Sequence, residues 1–402
     1  MFRVKLAIVA TCFAAPLSAQ AVPAFEPVSG EPVCRGTAGY SAEAEGARTY
    51  LWRPRWIAAI RNDAALRAEV LEAGEAALDN GPYSVTDKPR ALSGAAANDY
   101  ASIGPYWWPS KSGNGLPYTR RDGEVNPERD GPEFDRSRIR DLANDMRNLS
   151  LSYHLSGDER FSKHAAILAH VWFVAPKTRM NPHFRFAQGI PGKVEGRGEG
   201  IIEASDLSTI VESLGLLWNS DALSAHDKRS IRQWYADFSV WMATSNLGAD
   251  EMRKTNNHGV FFDFYLAHFL LFAGAEDLVK AIVNKFPEYR LGVQMDSQGR
   301  FIEELKRTRS WHYSHFVVDG AARLATVGEC VGLDLWDAQL ADGRSLATAK
   351  AFLDRYAANP ASWPFPDRDH AAGKLARMTE SSRRLNLLFD TGMQPAAPSD
   401  LP

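Results

Sequence analysis

The sequence lacks most of the features that would fix its chemistry at once. It has 3 cysteines in 402 residues, too few for a disulfide scaffold or a zinc site built on thiolates. Its 49 acidic residues slightly outnumber 46 basic ones, for a formal net charge of −3. That excludes a general basic field for nucleic acid or any other polyanion, so a polyanion has to be held by a local cluster of cations. No G-x-G-x-x-G or Walker sequence follows a strand; Gly196-Arg197-Gly198-Glu199-Gly200 has the glycines without the spacing. Cysteine, histidine and carboxylate nowhere fall at ligand spacing, and His312-x-x-His315 lacks an acidic partner, so no metal or cofactor is expected. Runs of alternating β-branched residues are absent, which leaves no strand to predict. Beyond residue 21 no apolar run is long enough to span a bilayer, so membrane insertion is not expected.

The start of the chain carries the marks of an export signal. Arg3 and Lys5 precede an apolar stretch from Leu6 to Leu17, and Ala19-Gln20-Ala21 supplies a small-x-small cleavage pattern. Residues 1–21 therefore read as a signal peptide, and the mature protein as periplasmic or secreted. The remainder divides into an extension over 22–48, one large domain over 49–390 and a proline-rich tail over 391–402. Cys34 and Cys330 remain after processing; in an oxidising compartment they either pair or stay buried as thiols, and sequence alone does not decide.

What is abundant is helical periodicity. Ile139, Leu142, Met146, Leu149 and Tyr153 recur at three- and four-residue steps, as do Leu207 to Trp218 and Ile231 to Met242. The last of these opens at Ser224 with Asp227 three places on, a capping pattern. Further helices are predicted over 54–79, 159–174, 257–273, 276–286, 312–328 and 343–357. An all-α protein of this size is either a solenoid or a closed ring of helical hairpins, and no 30–45-residue motif recurs to support a solenoid. The segments 80–133 and 175–202 are long, rich in Gly, Pro and aromatics, and aperiodic. Disordered segments lack aromatics, so these read as binding loops over one mouth of the ring.

Four constellations carry chemistry. Tyr100 and the run Tyr106-Trp107-Trp108 between prolines form either a local plug of rings or a platform for sugar faces, which composition does not separate. Gln188 and Arg197, in the second long loop, are placed to reach a ligand. Asn256-Asn257-His258 opens a helix, where free backbone N–H groups, amides and an imidazole suit a carboxylate. Lys306-Arg307-Thr308-Arg309 runs into Trp311-His312-Tyr313, bringing cations, an imidazole and a phenol within a few residues.

Together, Tyr-Trp-Trp-Pro, Asn-Pro-x-x-x-x-Ala-Gln with Gly-Arg-Gly, Asn-Asn-His and Glu-Leu-x-Arg followed by Tyr resemble the alginate lyase superfamily, polysaccharide lyase families 5 and 38. The likeness covers about residues 80 to 330 in order. It implies an α/α toroid, an incomplete barrel of helical hairpins. It also implies a metal-independent lyase that cleaves a 4-linked polyuronate by β-elimination and leaves a 4,5-unsaturated end. The functional residues fall on Asn257, His258, Arg307 and Tyr313. The Arg-to-Tyr interval is a residue shorter than in family 5, which leaves Arg309 as a rival for the arginine role. Asn257 and Arg307 are expected to neutralise the uronate carboxylate. Tyr313 is expected to protonate O4, its pKa lowered by neighbouring arginines, and His258 either takes the C5 proton or assists. The expected partner is an acidic polysaccharide and the expected state a monomer. Polymannuronate is the first choice of substrate, with glucuronan, which presents the same face, as the alternative. A hydrolase would need two carboxylates across the cleft, with Glu203, Asp206, Asp263 and Glu304 available. A non-catalytic glycan-binding protein would need the aromatics without His258 and Tyr313.

Overall fold

The computed structural model describes residues 21–27, 30, 32–89, 92, 94–389 and 392–402; the predicted signal peptide, Ala21 excepted, lies outside them. The all-helical class is as the periodicity predicts. The helices are α1 (Pro54–Asn62), α2 (Ala64–Ala77), α3 (Arg136–Ser156), α4 (Glu159–Ala169), α5 (Ser205–Leu217), α6 (Ala225–Thr244), α7 (Asn246–Met252) and α8 (Asn257–Ala273). After them come α9 (Glu276–Phe286), α10 (Gly292–Gln294), α11 (Ile302–Leu305), α12 (Ser310–Cys330), α13 (Leu346–Ala357), α14 (Arg368–Ala371) and α15 (Leu375–Leu388). Helix α3 packs on α5, α5 on α8 and α8 on α12; α2 and α4 flank α3, α6 and α9 flank α8, and α13 and α15 flank α12. Helices α8 and α12 are buried over most of their length, whereas α2 and α9 bury one stripe. That difference is what separates an inner helix from an outer one, and it gives the paired layering of which an α/α toroid consists.

Local chemistry explains the breaks. The stretch 54–79 is two helices because the Asp63 side chain accepts the Ala65 and Leu66 N–H groups and starts a second helix there. Ser224 caps α6 as predicted, accepting the Asp227 N–H. Among the described residues, four short strands correct the expectation of none: β1 (Ala101–Ile103), β2 (Trp107–Trp108), β3 (Thr119–Arg120) and β4 (Phe186–Gly189). Strand β1 pairs with β4 in parallel and β2 with β3 antiparallel, so the two long loops are stitched to each other and to themselves.

The flanking segments join the same core. Tyr40, Ala44 and Ala47 are buried in it, and a disulfide links Cys34 to Cys330 at the end of α12. Glu212 on α5, fully buried, accepts the backbone N–H groups of Tyr50, Leu51 and Trp52 and bonds His268 on α8. Such a carboxylate is tolerated inside because donors surround it. At the other end, Leu401 is buried and the Pro402 carbonyl accepts from the Trp52 indole at 2.7 Å.

Candidate active site

The start of α8 is built for close approach. The Asn256 side chain caps the helix by accepting the His258 N–H. At Gly259 a Cβ would collide with the Lys254 carbonyl and the Arg290 guanidinium, so only glycine lets the helix enter here. Asn257 is buried against Glu304 of α11: its backbone N–H donates at 2.5 Å and its Nδ2 to the two carboxylate oxygens at 2.9 and 3.0 Å. This fixes the amide and leaves it at most one hydrogen for a ligand. His258 turns its Nδ1 to Glu251 Oε1 of α7 at 2.6 Å, while its side chain keeps 18% exposure. Burial works against a charged ring there, but Glu251, with Glu199 and Glu304, outweighs it and raises the His258 pKa above the ordinary histidine value.

The second half comes from the entry to α12. The Arg307 guanidinium lies 3.6 Å from the centre of the Tyr313 ring, a cation–π contact. Its far side is held by Asp122 of the first long loop at 3.0 Å. Against the upward push of burial, Arg307 and Thr308 hold Asp122 down at about 2. The hydroxyls of Tyr313 and Tyr106 are 2.6 Å apart. The expectation that arginines lower the Tyr313 pKa is overturned. Burial raises it well above the ordinary phenol value and Tyr106 adds to the rise; Arg307 opposes without prevailing.

Contacts and electrostatic influence together close these parts into a ring. Tyr106 precedes Trp107, whose indole faces Lys193 at 4.7 Å and Arg197 at 6.0 Å. Arg197 donates to the Gln188 carbonyl and side-chain oxygen at 2.9 and 2.7 Å, and approaches Glu199 at 3.7 Å. Glu199 and Glu304 both act on His258. Burial raises the Glu304 pKa while Asn257 and Arg307 oppose the rise, which returns the circuit to Tyr313. Gln188, at φ 47°, is one of two non-glycine residues with positive φ among those described. Such strain gathers at functional sites, and here it sets the carboxamide beside Arg197.

Several expected residues sit elsewhere. Tyr100 is a correction: it is fully buried, its hydroxyl bonds Glu203 at 2.8 Å, and its ring packs on Phe184, so it cannot stack a sugar. Arg309 turns away from the phenol; its Nε and a terminal nitrogen both donate to Asp369 Oδ2, at 2.9 and 2.7 Å. That leaves Arg307 as the arginine over Tyr313. His312 stacks on Phe316, and burial, with Arg309 adding, pulls it down to about 4. Trp108 is half-buried, donates to the Glu124 carbonyl and carries Arg121 over its ring at 4.9 Å. The glycines at 196 and 200 are needed because a Cβ would strike the backbone of 185–187, a packing reason and not a phosphate one.

The carboxylates a hydrolase would need are engaged. Asp206 binds Arg136, Asp263 binds Arg290, Glu203 accepts from Tyr100 and Ser102, and Glu304 holds Asn257. Glu251, Glu199 and Asp122 join the site without a motif to announce them. Glu304 alone has a sequence signal, as the first residue of Glu-Leu-x-Arg.

The alginate lyase family model matches residues 84–363. The crystal structure of an alginate lyase from Bacteroides ovatus is 33% identical with a TM-score of 0.80, over 86% of this chain and 92% of that one. Alginate lyase A1-III from Sphingomonas species A1 is 16% identical with a TM-score of 0.50, over 83% and 89%, a likeness of fold alone. Comparison with curated proteins returns no match. The matched segment runs from ahead of the aromatic loop to past α13 and takes in every residue of the ring just described; the chain belongs to the alginate lyase family and is a polysaccharide lyase.

Proposed function

We propose that the protein cleaves polymannuronate by β-elimination, with Tyr313 as the proton-transferring group. The observation that carries this is the Tyr313 phenol, 2.6 Å from the Tyr106 hydroxyl with Arg307 against its ring, while Glu304, which holds Asn257, acts electrostatically on both Arg307 and His258. The C5 proton of a uronate is poorly acidic because the adjacent carboxylate is already negative. Catalysis therefore has to stabilise the extra charge gathering on that carboxylate, and donors aimed at developing charge commonly contribute most to rate acceleration. Arg307, His258 and the remaining amide hydrogen of Asn257 are the groups available for it. As the C5–H bond breaks, its electron pair forms the C4–C5 double bond and the C4–O bond breaks.

In mannuronate the C5 proton and the C4 oxygen lie on one face, so a single phenol serves both transfers. Burial favours the protonated phenol at rest, so the cycle begins with loss of that proton to solvent. The phenolate, supported by the Arg307 cation and an O–H from Tyr106, takes the C5 proton and passes the same proton to O4 as the C4–O bond breaks, ending as phenolate. Guluronate, the C5 epimer, needs acid and base on opposite faces. Trp107, Trp108, Gln188 and Arg197 would bind neighbouring sugars. We further propose that residues 1–21 direct export to the periplasm or beyond, which fits a protein holding a disulfide.

Ultraviolet absorbance of the unsaturated product, followed in parallel on polymannuronate, polyguluronate and glucuronan, tests the proposal. Polymannuronate is expected to be turned over fastest. Guluronate as the best substrate would refute single-face transfer, while glucuronan as the best would correct the sugar and leave the mechanism.

A further inference from the structure

We propose that Glu251 is a positioning residue that keeps His258 as a doubly protonated clamp for the substrate carboxylate, not a base. The inference rests on the lyase reading above and starts from the surroundings of Glu251. It is 1% exposed, one of its oxygens meets His258 Nδ1 at 2.6 Å, and its other oxygen, Oε2, is buried without a hydrogen-bond partner. A buried carboxylate with an unsatisfied oxygen is costly unless a positive charge lies against it. Among the described residues, the ionisable partner within ion-pair distance of Glu251 is the His258 ring. Burial pushes the Glu251 carboxyl up and the His258 charge opposes that rise; with the proton on the ring both nitrogens donate, Nδ1–H to Glu251 and Nε2–H outward, through the part of the side chain that remains exposed.

The other charges around His258 act the same way. Glu304 on α11 and Glu199 on the 198–204 turn both favour its charged form. The nearby cations are committed to carboxylates, Lys254 to Glu199 and Asp250, Arg197 to Glu199, and Arg307 to Asp122. On α8 itself Asp263 is neutralised by Arg290. Asn257 has little left to give, since its amide faces Glu304. Of the groups available to the uronate carboxylate, His258 and Arg307, the latter shared with Asp122, are thus the two that bring charge. The protein's net charge of −3 gives no general field to replace them.

The experiment is an imidazole titration by nitrogen–proton correlation spectroscopy, run on the wild type and on Glu251→Gln without substrate, beside pH profiles of kcat/KM on polymannuronate. In the wild type the His258 midpoint is expected above the ordinary histidine value, with activity lost as pH rises through it. Glu251→Gln is expected to lower the midpoint by about one pH unit or more and to carry the alkaline limb of the profile with it. Glu251→Asp, which keeps the charge, is expected to recover part of the shift. An unmoved midpoint in Glu251→Gln would overturn the proposal. So would wild-type activity that rises through the His258 midpoint, since the neutral ring would then be the working form. If Glu251→Gln does not fold, the wild-type midpoint and profile alone decide, and a midpoint at or below the ordinary value refutes the clamp. A protein with no lyase activity still yields the midpoint, so failure of the enzymatic reading is told apart from failure of this one.

Discussion

At the scale of single residues, Tyr313 carries two contacts that one substitution separates. Its ring supports Arg307 at 3.6 Å and its hydroxyl meets Tyr106 at 2.6 Å. Tyr313→Phe keeps the first and removes the second. Turnover of polymannuronate is expected to fall by about 10³-fold or more, with oligosaccharide affinity by calorimetry within a few-fold, because proton transfer is lost and ring packing is not. Rates near normal would take the acid role away from Tyr313. Arg307 and Arg309 make a second contrast. Arg307→Lys gives up the planar group over the phenol and is expected to cost about 10²-fold in kcat/KM. Arg309→Gln removes both donors from Asp369 and is expected to lower the melting temperature while leaving kcat/KM within a few-fold. The reverse pattern would hand the arginine role to Arg309. Asn257, His258, Arg307 and Tyr313 can be picked out as candidates in the sequence because each stands in a short motif whose chemistry is local. Glu251 and Asp122 are not, because a carboxylate gains meaning only from what it faces, and these face partners on other elements. Tyr100 misleads for the complementary reason: its neighbours in sequence are loop residues, yet its hydroxyl finds a buried Glu203.

At the scale of elements, apolar spacing predicts the bounds of α8 and α9 as they stand, since large side chains recurring every three or four residues fit a helix and not a strand. The short strands escape such reading because two to four residues carry no period; β1 and β4 exist only through pairing across distant loops. The packing of α12 on α15 holds a pH dependence that the sequence hides. His315 is buried, with Nδ1–H donating to the Trp311 carbonyl at 2.9 Å and Nε2 accepting from Ser382 at 3.0 Å. Burial pulls its pKa down to about 4. In the unfolded chain it titrates near the ordinary value of about 6.5. Between those values the unfolded state binds the proton and the folded state does not, so stability rises with pH and is lost as pH falls from about 6.5 towards 4. The full shift corresponds to about 3 kcal/mol. Denaturant unfolding compared at neutral pH and in the acidic window just above the folded pKa is expected to show a smaller loss for His315→Gln than for the wild type. Equal losses would mean that His315 is not a source of the acid sensitivity.

At the scale of the whole molecule, the disulfide spans a sequence separation of 296 and fastens the N-terminal extension to the end of α12, while the Trp52–Pro402 bond brings residue 402 beside the entry to the first helix. The described residues of the extension and the tail are thus parts of one packed body. Charge is distributed less helpfully. A molecule of net charge −3 has to capture a polyanion, and the cations near the site are mostly engaged by internal partners. Lys306 binds Glu303, Lys254 binds Asp250 and Glu199, Arg309 binds Asp369 and Arg307 binds Asp122. Steering of the polymer is therefore local and shallow, resting on residual charge from these pairs and on the protonated His258. Salt screens such attraction beyond about 8 Å at physiological ionic strength. KM for polymannuronate is expected to rise with added sodium chloride with a log–log slope on the order of one to two, the release of one or two counterions, while kcat stays level because the His258 and Arg307 side chains are mostly buried. Initial rates measured across about one decade of ionic strength centred on the physiological value check this. A flat KM would place capture in uncharged contacts, the proposed stacking on Trp107 and Trp108 among them, and a kcat that falls as KM rises would show that the clamp itself is open to salt.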